Sequence, residues 1–501
     1  MTAKSYLIRG ARIYDHDGDV HQPAVADLLI NGATIQRVAP SIPAADGAEV
    51  IEAAGKLVVP GFVNAHYHSH DVLAKGMFEE MPFDVWAVHT NAGSYGKRSH
   101  EEVRLRTLIG AAESLRNGIT TIQDMLTMVP ADDEYVDTVL AAYEEAGIRV
   151  VLSLAARDVA QLDIAPFLPK DLPEEARARL IGQSRPAKTE LAFVEGQIKR
   201  LGKHRTPLQS WAIGPSAPQR CSTELLEGLA ALSRAYDLPV LTHVYETRPQ
   251  AAAAQKSDAS LLDVLASAGL MNEKLSVIHG VWLSARDIAR IAETGGRVVH
   301  NPISNLKLKS GVAPILDLYR AGVDVALGCD NYSCAETQNI FQAMRMLCLL
   351  PAVTSPEPGP INAAYALRAA TLSGARAVGL GGKVGAVKAG MQADLTILDL
   401  NEPSFVPFNS AARQIVFAES GRAVETVFVG GRPVVRDGKL TTVDQAALAA
   451  RVAEIAPVFR RDAAALAGRS ADLVAPLLEA NRAVWKVPLG IDRYIGRNKD
   501  G

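Results

Sequence analysis

Five of the eleven histidines in the chain, His66, His68, His243, His279 and His300, fall at or just past the end of a short apolar run of strand character. His66 and His68 are two residues apart, and the period of two along a strand puts both imidazoles on one side of the chain. His243 adds a third nitrogen and Asp330 a carboxylate oxygen, a mixed set that suits Zn²⁺ or Fe²⁺ and leaves room for one water. Such a cation lowers the pKa of a water on it toward ~7, so the expected reaction is hydrolysis. Glu246, three residues after His243, reads as a general acid or base once burial raises its pKa, and His279 as the group that orients the water. Singly, His243 reads equally well as a core histidine bonded to backbone and Asp330 as a helix cap; their joint placement at strand ends favours one pocket.

Strand ends converge only if the strands are parallel and neighbouring. Between residues 57 and 327 the chain alternates apolar runs with helical stretches, the signature of parallel strands with crossover helices. Eight such runs are expected, at 57–63, 119–123, 149–154, 208–213, 239–242, 275–278, 297–299 and 323–327. Eight implies a closed (β/α)8 TIM barrel over 59–385, with side chains from different strands meeting at its C-terminal face. The helices carry their own punctuation. Ser99-x-x-Glu102 and Ser284-x-x-Asp287 read as capping boxes, and Gly118 and Gly295-Gly296 as helix stops.

Short strands at 6–8, 12–14, 27–30 and 34–38 open the chain, with Asn31-Gly32 as a hairpin turn. Similar strands return at 394–400, 426–429 and 433–435, so segments 1–58 and 386–440 are expected to form one composite β-sandwich. Residues 445–484 are rich in Ala, Leu, Arg and Glu without strand signals, which makes 441–501 a helical C-terminal appendage of unreadable role.

Composition narrows the partners. With 501 residues, 48% hydrophobic and 21% charged, the chain is an ordinary globular one with ample core. The net charge of -3 offers no footprint for nucleic acid or an anionic membrane. No apolar stretch approaches ~18 residues, and four scattered cysteines suit a reducing, cytoplasmic setting. Walker A, G-x-S-x-G, H-E-x-x-H and the H-x-E…P-C-x-x-C signature are all absent.

The motifs resemble those of the amidohydrolase superfamily, in its cytosine deaminase-like branch that holds the triazine hydrolases and adenosine-type deaminases. The residues that carry the resemblance are Pro60-Gly61-Phe62-Val63-Asn64-Ala65-His66-Tyr67-His68, Gly118-Ile119-Thr120-Thr121, His243-Val244-Tyr245-Glu246-Thr247 and Ile278-His279-Gly280. His300-Asn301-Pro302-Ile303-Ser304-Asn305, Leu327-Gly328-Cys329-Asp330-Asn331 and Gly390-Met391-Gln392-Ala393-Asp394-Leu395 extend it over most of the chain. The resemblance implies one divalent metal, Zn²⁺ ahead of Fe²⁺, on His66, His68, His243 and Asp330. It also implies proton shuttling by Glu246, handling of the nucleophilic water by His279 and Asp330, and loss of ammonia or an amine from a nitrogen heterocycle. A dinuclear form with a carbamylated lysine is disfavoured because no lysine falls at a strand end. Homodimers or larger homo-oligomers are common in the family.

Departures from the family pattern bear on the substrate. Gly214-Pro215-Ser216 stands where nucleoside deaminases of this branch usually show Gly-Pro-His, which counts against a nucleoside; Asn331 replaces a common glycine; His70-Asp71 extends the first motif. Met77, Phe78, Phe83 and Trp86 are expected to wall a pocket for a flat heterocycle. Candidate substrate contacts are Trp86, Phe83, His70, Arg157, His300, Asn301 and Asn331, with Arg248 a further cation beside Glu246. The expected function is therefore a metal-dependent hydrolytic deaminase of a small amino- or imino-substituted heterocycle. Hydrolysis of an amide, urea, lactam or chlorotriazine by the same groups is the alternative, and a noncatalytic scaffold the second.

Overall fold

The computed structural model describes residues 4–43, 47–90, 95–128, 132–160, 162–181, 184–203, 206–257, 259–354 and 356–495. Its first strands, β1 (Ser5–Ile13), β2 (Val25–Asn31), β3 (Thr34–Ala39), β4 (Glu49–Glu52) and β5 (Lys56–Pro60), join four from the far end of the chain in a single sheet. The two short strands expected at 6–8 and 12–14 are one strand, β1, whose pairing with β2 shifts register between Ile8 and Ala11. Gly10 sits at that bulge with φ 71°, a conformation that costs glycine little, and its N–H donates to Asp27 Oδ1 at 2.8 Å.

The run expected as one strand at 57–63 is divided at Gly61. β5 belongs to the large sheet, whereas β6 (Phe62–His68) pairs in parallel with β7 (Ile119–Leu126). A Cβ at Gly61 would run into the Thr120 side chain, so the crossing from one sheet to the other needs a residue without one.

β6 and β7 are followed by β8 (Arg149–Ala156), β9 (Gln209–Trp211) and β10 (Gly214–Pro215), all parallel. The run expected at 208–213 is thus interrupted after Trp211. A second parallel set follows in the order β11 (Val240–Val244), β12 (Leu275–His279), β13 (Arg297–His300) and β14 (Asp324–Leu327). A bridge from Ile213 to Val240 connects the two sets, and β15 (Asp330–Asn331) returns to pair in parallel with Tyr67 and His68 of β6. The molecule is therefore an α/β structure of mostly parallel strands, with β14 itself not hydrogen-bonded to β6. Val63, Met125, Val151, Leu241, Ile278 and Val299, from strands of both sets, pack together in one apolar cluster.

After them come β16 (Leu395–Asp399), β17 (Val424–Val429), β18 (Arg432–Arg436) and β19 (Lys439–Leu440), which complete a nine-stranded sheet through the β16–β5 pairing. Arg149 at the start of β8 forks onto the Asp394 carboxylate at 2.7 and 2.9 Å, a buried pair that ties this sheet to the parallel strands.

Helix punctuation follows the sequence in part. Ser284 and Asp287 form the expected reciprocal cap, and Gly295 ends that helix at φ 71°. Ser99 caps the helix His100–Arg116 from one side only, because the Glu102 carboxylate turns to Arg98 at 2.8 Å. The segment 445–484 is a 40-residue helix, Gln445–Val484. No helix among the described residues is long and apolar enough to cross a membrane.

Candidate active site

Parallel pairing puts the C-terminal ends of β6, β11 and β12 and the short β15 on one side of the strands, and these ends carry the histidines and Asp330. His66 Nε2 lies 3.5 Å from Asp330 Oδ1, and His68 Nε2 lies 3.8 Å from the same oxygen. The His243 ring stacks on His68 with 5.5 Å between centroids and stands 4.9 Å edge-on from His66. His279 Nε2 is 3.8 Å from Asp330 Oδ2 and 3.8 Å from Glu246 Oε1. Six side chains from four separate stretches of chain thus meet at one point.

The orientation of each ring is set from behind. His68 Nδ1 faces the Met125 carbonyl at 2.7 Å and His243 Nδ1 the Ser216 carbonyl at 2.6 Å. A carbonyl only accepts, so each Nδ1 donates and each Nε2 presents a lone pair toward the centre. His279 Nδ1 is held between Asn305 Oδ1 at 2.8 Å and Asn301 Nδ2 at 3.3 Å. Asp330 is held by Gln338, whose amide donates to the Asp330 carbonyl at 2.9 Å while accepting from Asn64 at 2.7 Å. Tyr245, His279 and Asp330 have φ of 51°, 70° and 67°, so three non-glycine residues at or beside strand ends hold the left-handed backbone. Each costs roughly 1–3 kcal/mol, the usual mark of a backbone held for its side chain's aim.

Burial sets the protonation states. It pushes His66 down to about 4 and His243 well below the ordinary imidazole value, so both are neutral at pH 7. Burial pushes Asp330 upward, but the surrounding His66, His279 and His68 outweigh it and hold the carboxyl well below its ordinary range. Glu246 is raised by burial to about 7, with Asp330 adding to the effect and His279 opposing it.

The residues present fit a divalent cation. Among the described residues neither buried ring nitrogen of His66 has a hydrogen-bond partner, an expensive state for a histidine that no cation completes. Donor atoms of His66, His68 and Asp330 lie within 4.8 Å of one another, as do those of His66, His243 and His279. Neutral imidazoles with one carboxylate are the donors Zn²⁺ prefers.

A cavity of about 490 Å³ opens above this cluster, with His68, His243, Glu246, His279 and Asp330 in its wall. Trp86, Phe83, His70, Arg157 and Asn331 line it too. Trp86 is fixed there by its indole N–H, which donates to Ser333 Oγ at 3.1 Å. His300 and Asn301 are not in the wall. His300 is buried behind it, its pKa pushed down to about 3, and Asn301 Nδ2 stands 3.3 Å from His279 Nδ1. Met77 packs with Phe459 and Ala463 of the C-terminal helix, and Phe78 bridges that cluster and the one around Trp86; neither residue lines the cavity. Arg248 is spent on that same segment, its guanidinium 4.1 Å from the Trp485 ring and donating to the Val487 carbonyl at 2.8 Å. Sequence reasoning missed Asn64, Ser216, Asn305 and Gln338 as positioning residues, although all but Gln338 lie inside the motif blocks or the Gly214-Pro215-Ser216 run. It also missed Leu466, Ser470 and Leu473, which the C-terminal helix contributes to the cavity.

The chain belongs to the amidohydrolase family, whose model matches residues 57–434. It is a hydrolase acting on carbon–nitrogen bonds other than peptide bonds. A 5-methylthioadenosine/S-adenosylhomocysteine deaminase of Pyrococcus furiosus is 32% identical over 433 residues, 85% of this chain and 95% of that protein. A 5'-deoxyadenosine deaminase of Methanothermobacter thermautotrophicus is 31% identical over 446 residues, covering 89% and 96%. Among solved structures, a zinc-bound adenosine deaminase from Xanthomonas campestris superposes with a TM-score of 0.78 at 27% identity, covering 93% of this chain and 99% of that one. The zinc complex of an atrazine chlorohydrolase from Arthrobacter aurescens shares the fold, with a TM-score of 0.81 at 22% identity over 90% of this chain and 100% of that one.

Proposed function

We propose that the protein is a mononuclear metal-dependent deaminase that replaces an exocyclic amino group of a nitrogen heterocycle with oxygen from water and releases ammonia. His66, His68, His243 and Asp330 would hold the metal, Zn²⁺ ahead of Fe²⁺, which when bound supplies Lewis acidity and lowers the pKa of water. Glu246 takes the proton that water loses as its oxygen bonds to the ring carbon, and gives it to the departing nitrogen. His279, its Nε2 facing both Glu246 and Asp330, hydrogen-bonds the water and so aims its lone pair. Trp86 and Phe83 flank the flat ring, and His70, Arg157 and Asn331 meet its polar edge. One observation carries the reading: a carboxyl raised to about 7 faces the Nε2 of His279 at 3.8 Å, and that nitrogen also faces Asp330 at 3.8 Å.

The deaminases among the relatives favour an adenine-like ring, while Ser216, where nucleoside deaminases of this branch usually show a histidine, counts against a nucleoside. Metal-loaded protein assayed for ammonia release across aminopurines, pterins, aminopyrimidines and triazines tests the reading. No release from any of them overturns it, and chloride or alkylamine release alone favours the triazine alternative.

The same proposal includes a closed (β/α)8 barrel over 59–385, a β-sandwich composed of 1–58 and 386–440, cytoplasmic location, and assembly as a homodimer or larger. Light scattering on the purified protein reads the last of these.

A further inference from the structure

The cavity has two chemically different ends. Its foot is the histidine and carboxylate cluster, whereas Val88, Leu162, Leu180 and Leu473 in its wall belong to a separate apolar cluster that contains none of those residues. That cluster is built on the C-terminal helix, which starts at Gln445, beyond the last family-matched residue at 434. Leu466, Arg469, Ser470 and Leu473, spaced at three, one and three residues, put one helical face against the cavity, with Leu466 and Leu473 as its apolar members. The Ser470 hydroxyl is turned to the Val88 carbonyl, to which it donates at 3.4 Å, so that the polar group this face adds to the cavity is Arg469. The helix is fastened over the site by Arg179, which donates to the Arg469 carbonyl at 2.7 Å and pairs with Asp472, and by Asn481, which donates to Asp84 at 3.4 Å.

A volume of about 490 Å³ lies in the range of drug-sized ligands, more than one bare heterocycle fills. We propose that Leu466, Ser470 and Leu473 form a distal apolar subsite of the substrate cavity, so that the substrate is an aminated heterocycle carrying an apolar arm that reaches the C-terminal helix. The proposal rests on the deaminase reading of the cavity's foot. Each methylene seated against this wall adds roughly three- to fivefold in affinity.

The test uses full-length, metal-loaded protein and 6-aminopurines bearing N9 methyl, butyl, hexyl or butanoate arms, with kcat/KM from ammonia release and Kd from calorimetry. Expected is a rise in both kcat/KM and affinity from methyl to hexyl. Leu473→Gln should cut the hexyl-to-methyl ratio about tenfold, and Leu466→Phe should shorten the longest arm accepted; thermal melts confirm that both variants are folded. Ratios unchanged in both folded variants overturn the proposal. So does a preference for the butanoate arm, which would transfer the recognition to the arginines of the cavity wall, Arg157, Arg179, Arg220 and Arg469, or failure of every alkyl member to bind at millimolar concentration. If none releases ammonia but the alkyl series still binds with the expected dependence on Leu473, the deaminase reading fails and the subsite stands.

Discussion

Glu246 is the residue on which the chemistry turns, because burial at the foot of the cavity poises it to gain and lose a proton near neutrality. Burial raises it to about 7 in the metal-free chain, and a cation beside it would draw that value down. Its ionised form receives the first proton, so activity should fall on the acid side with a midpoint at or below about 7. Glu246→Gln should lower kcat by about 10²–10⁴ and abolish that acid limb while the protein keeps its stoichiometric metal, read from pH–rate profiles and metal analysis. Asp330→Asn has the other signature. An amide in place of the carboxylate that faces three histidines should cost the metal itself, and activity with it. These residues were legible because strand-end position and a spacing of two are local signals. Their supports were not: the Asn64–Gln338 bond joins residues 274 apart, and nothing in either neighbourhood marks the pairing.

At the scale of elements, the helix Phe83–Thr90 and the C-terminal helix meet around a buried carboxyl. Asp84 is raised to about 7 by burial, with Asp163 adding to it and Asn481 donating against it. A carboxyl whose folded pKa exceeds its unfolded value of ~3.9 contributes stability that is complete below ~3.9 and lost as pH rises through about 7. Asp84→Asn should therefore stabilise the protein at pH 8 by on the order of 2–4 kcal/mol and leave it nearly unchanged at pH 4. Thermal melts of both proteins across that range read the difference, and equal melting temperatures at pH 8 would count against the assignment. The sequence announced the C-terminal helix through its composition, yet not its purpose, since an amphipathic face shows only that something covers it. Likewise the single run at 57–63 hid the change of sheet at Gly61, because β-propensity is blind to which neighbour a strand takes.

For the whole molecule, the decisive contact is the one between the large sheet and the parallel strands. The alternation of strands and helices and the return of short strands near residue 394 foretold both parts, but not the bond between them. Arg149 and Asp394 are both buried, Arg149 also donates to the Pro207 carbonyl at 2.9 Å, and Asp394 also accepts from the Gly430 N–H at 2.7 Å. Removing one partner leaves the other charge buried and uncompensated, which typically costs about 3–5 kcal/mol. Asp394→Ala and Arg149→Leu should each lower stability by that order in chemical denaturation. The double variant should lose less than the two single losses added, because both desolvation penalties disappear together. If the single losses simply add, the pair does not couple the two parts and the sheet is held by its apolar face, where Val58, Leu395 and Phe428 pack with Ile8 and Ile30.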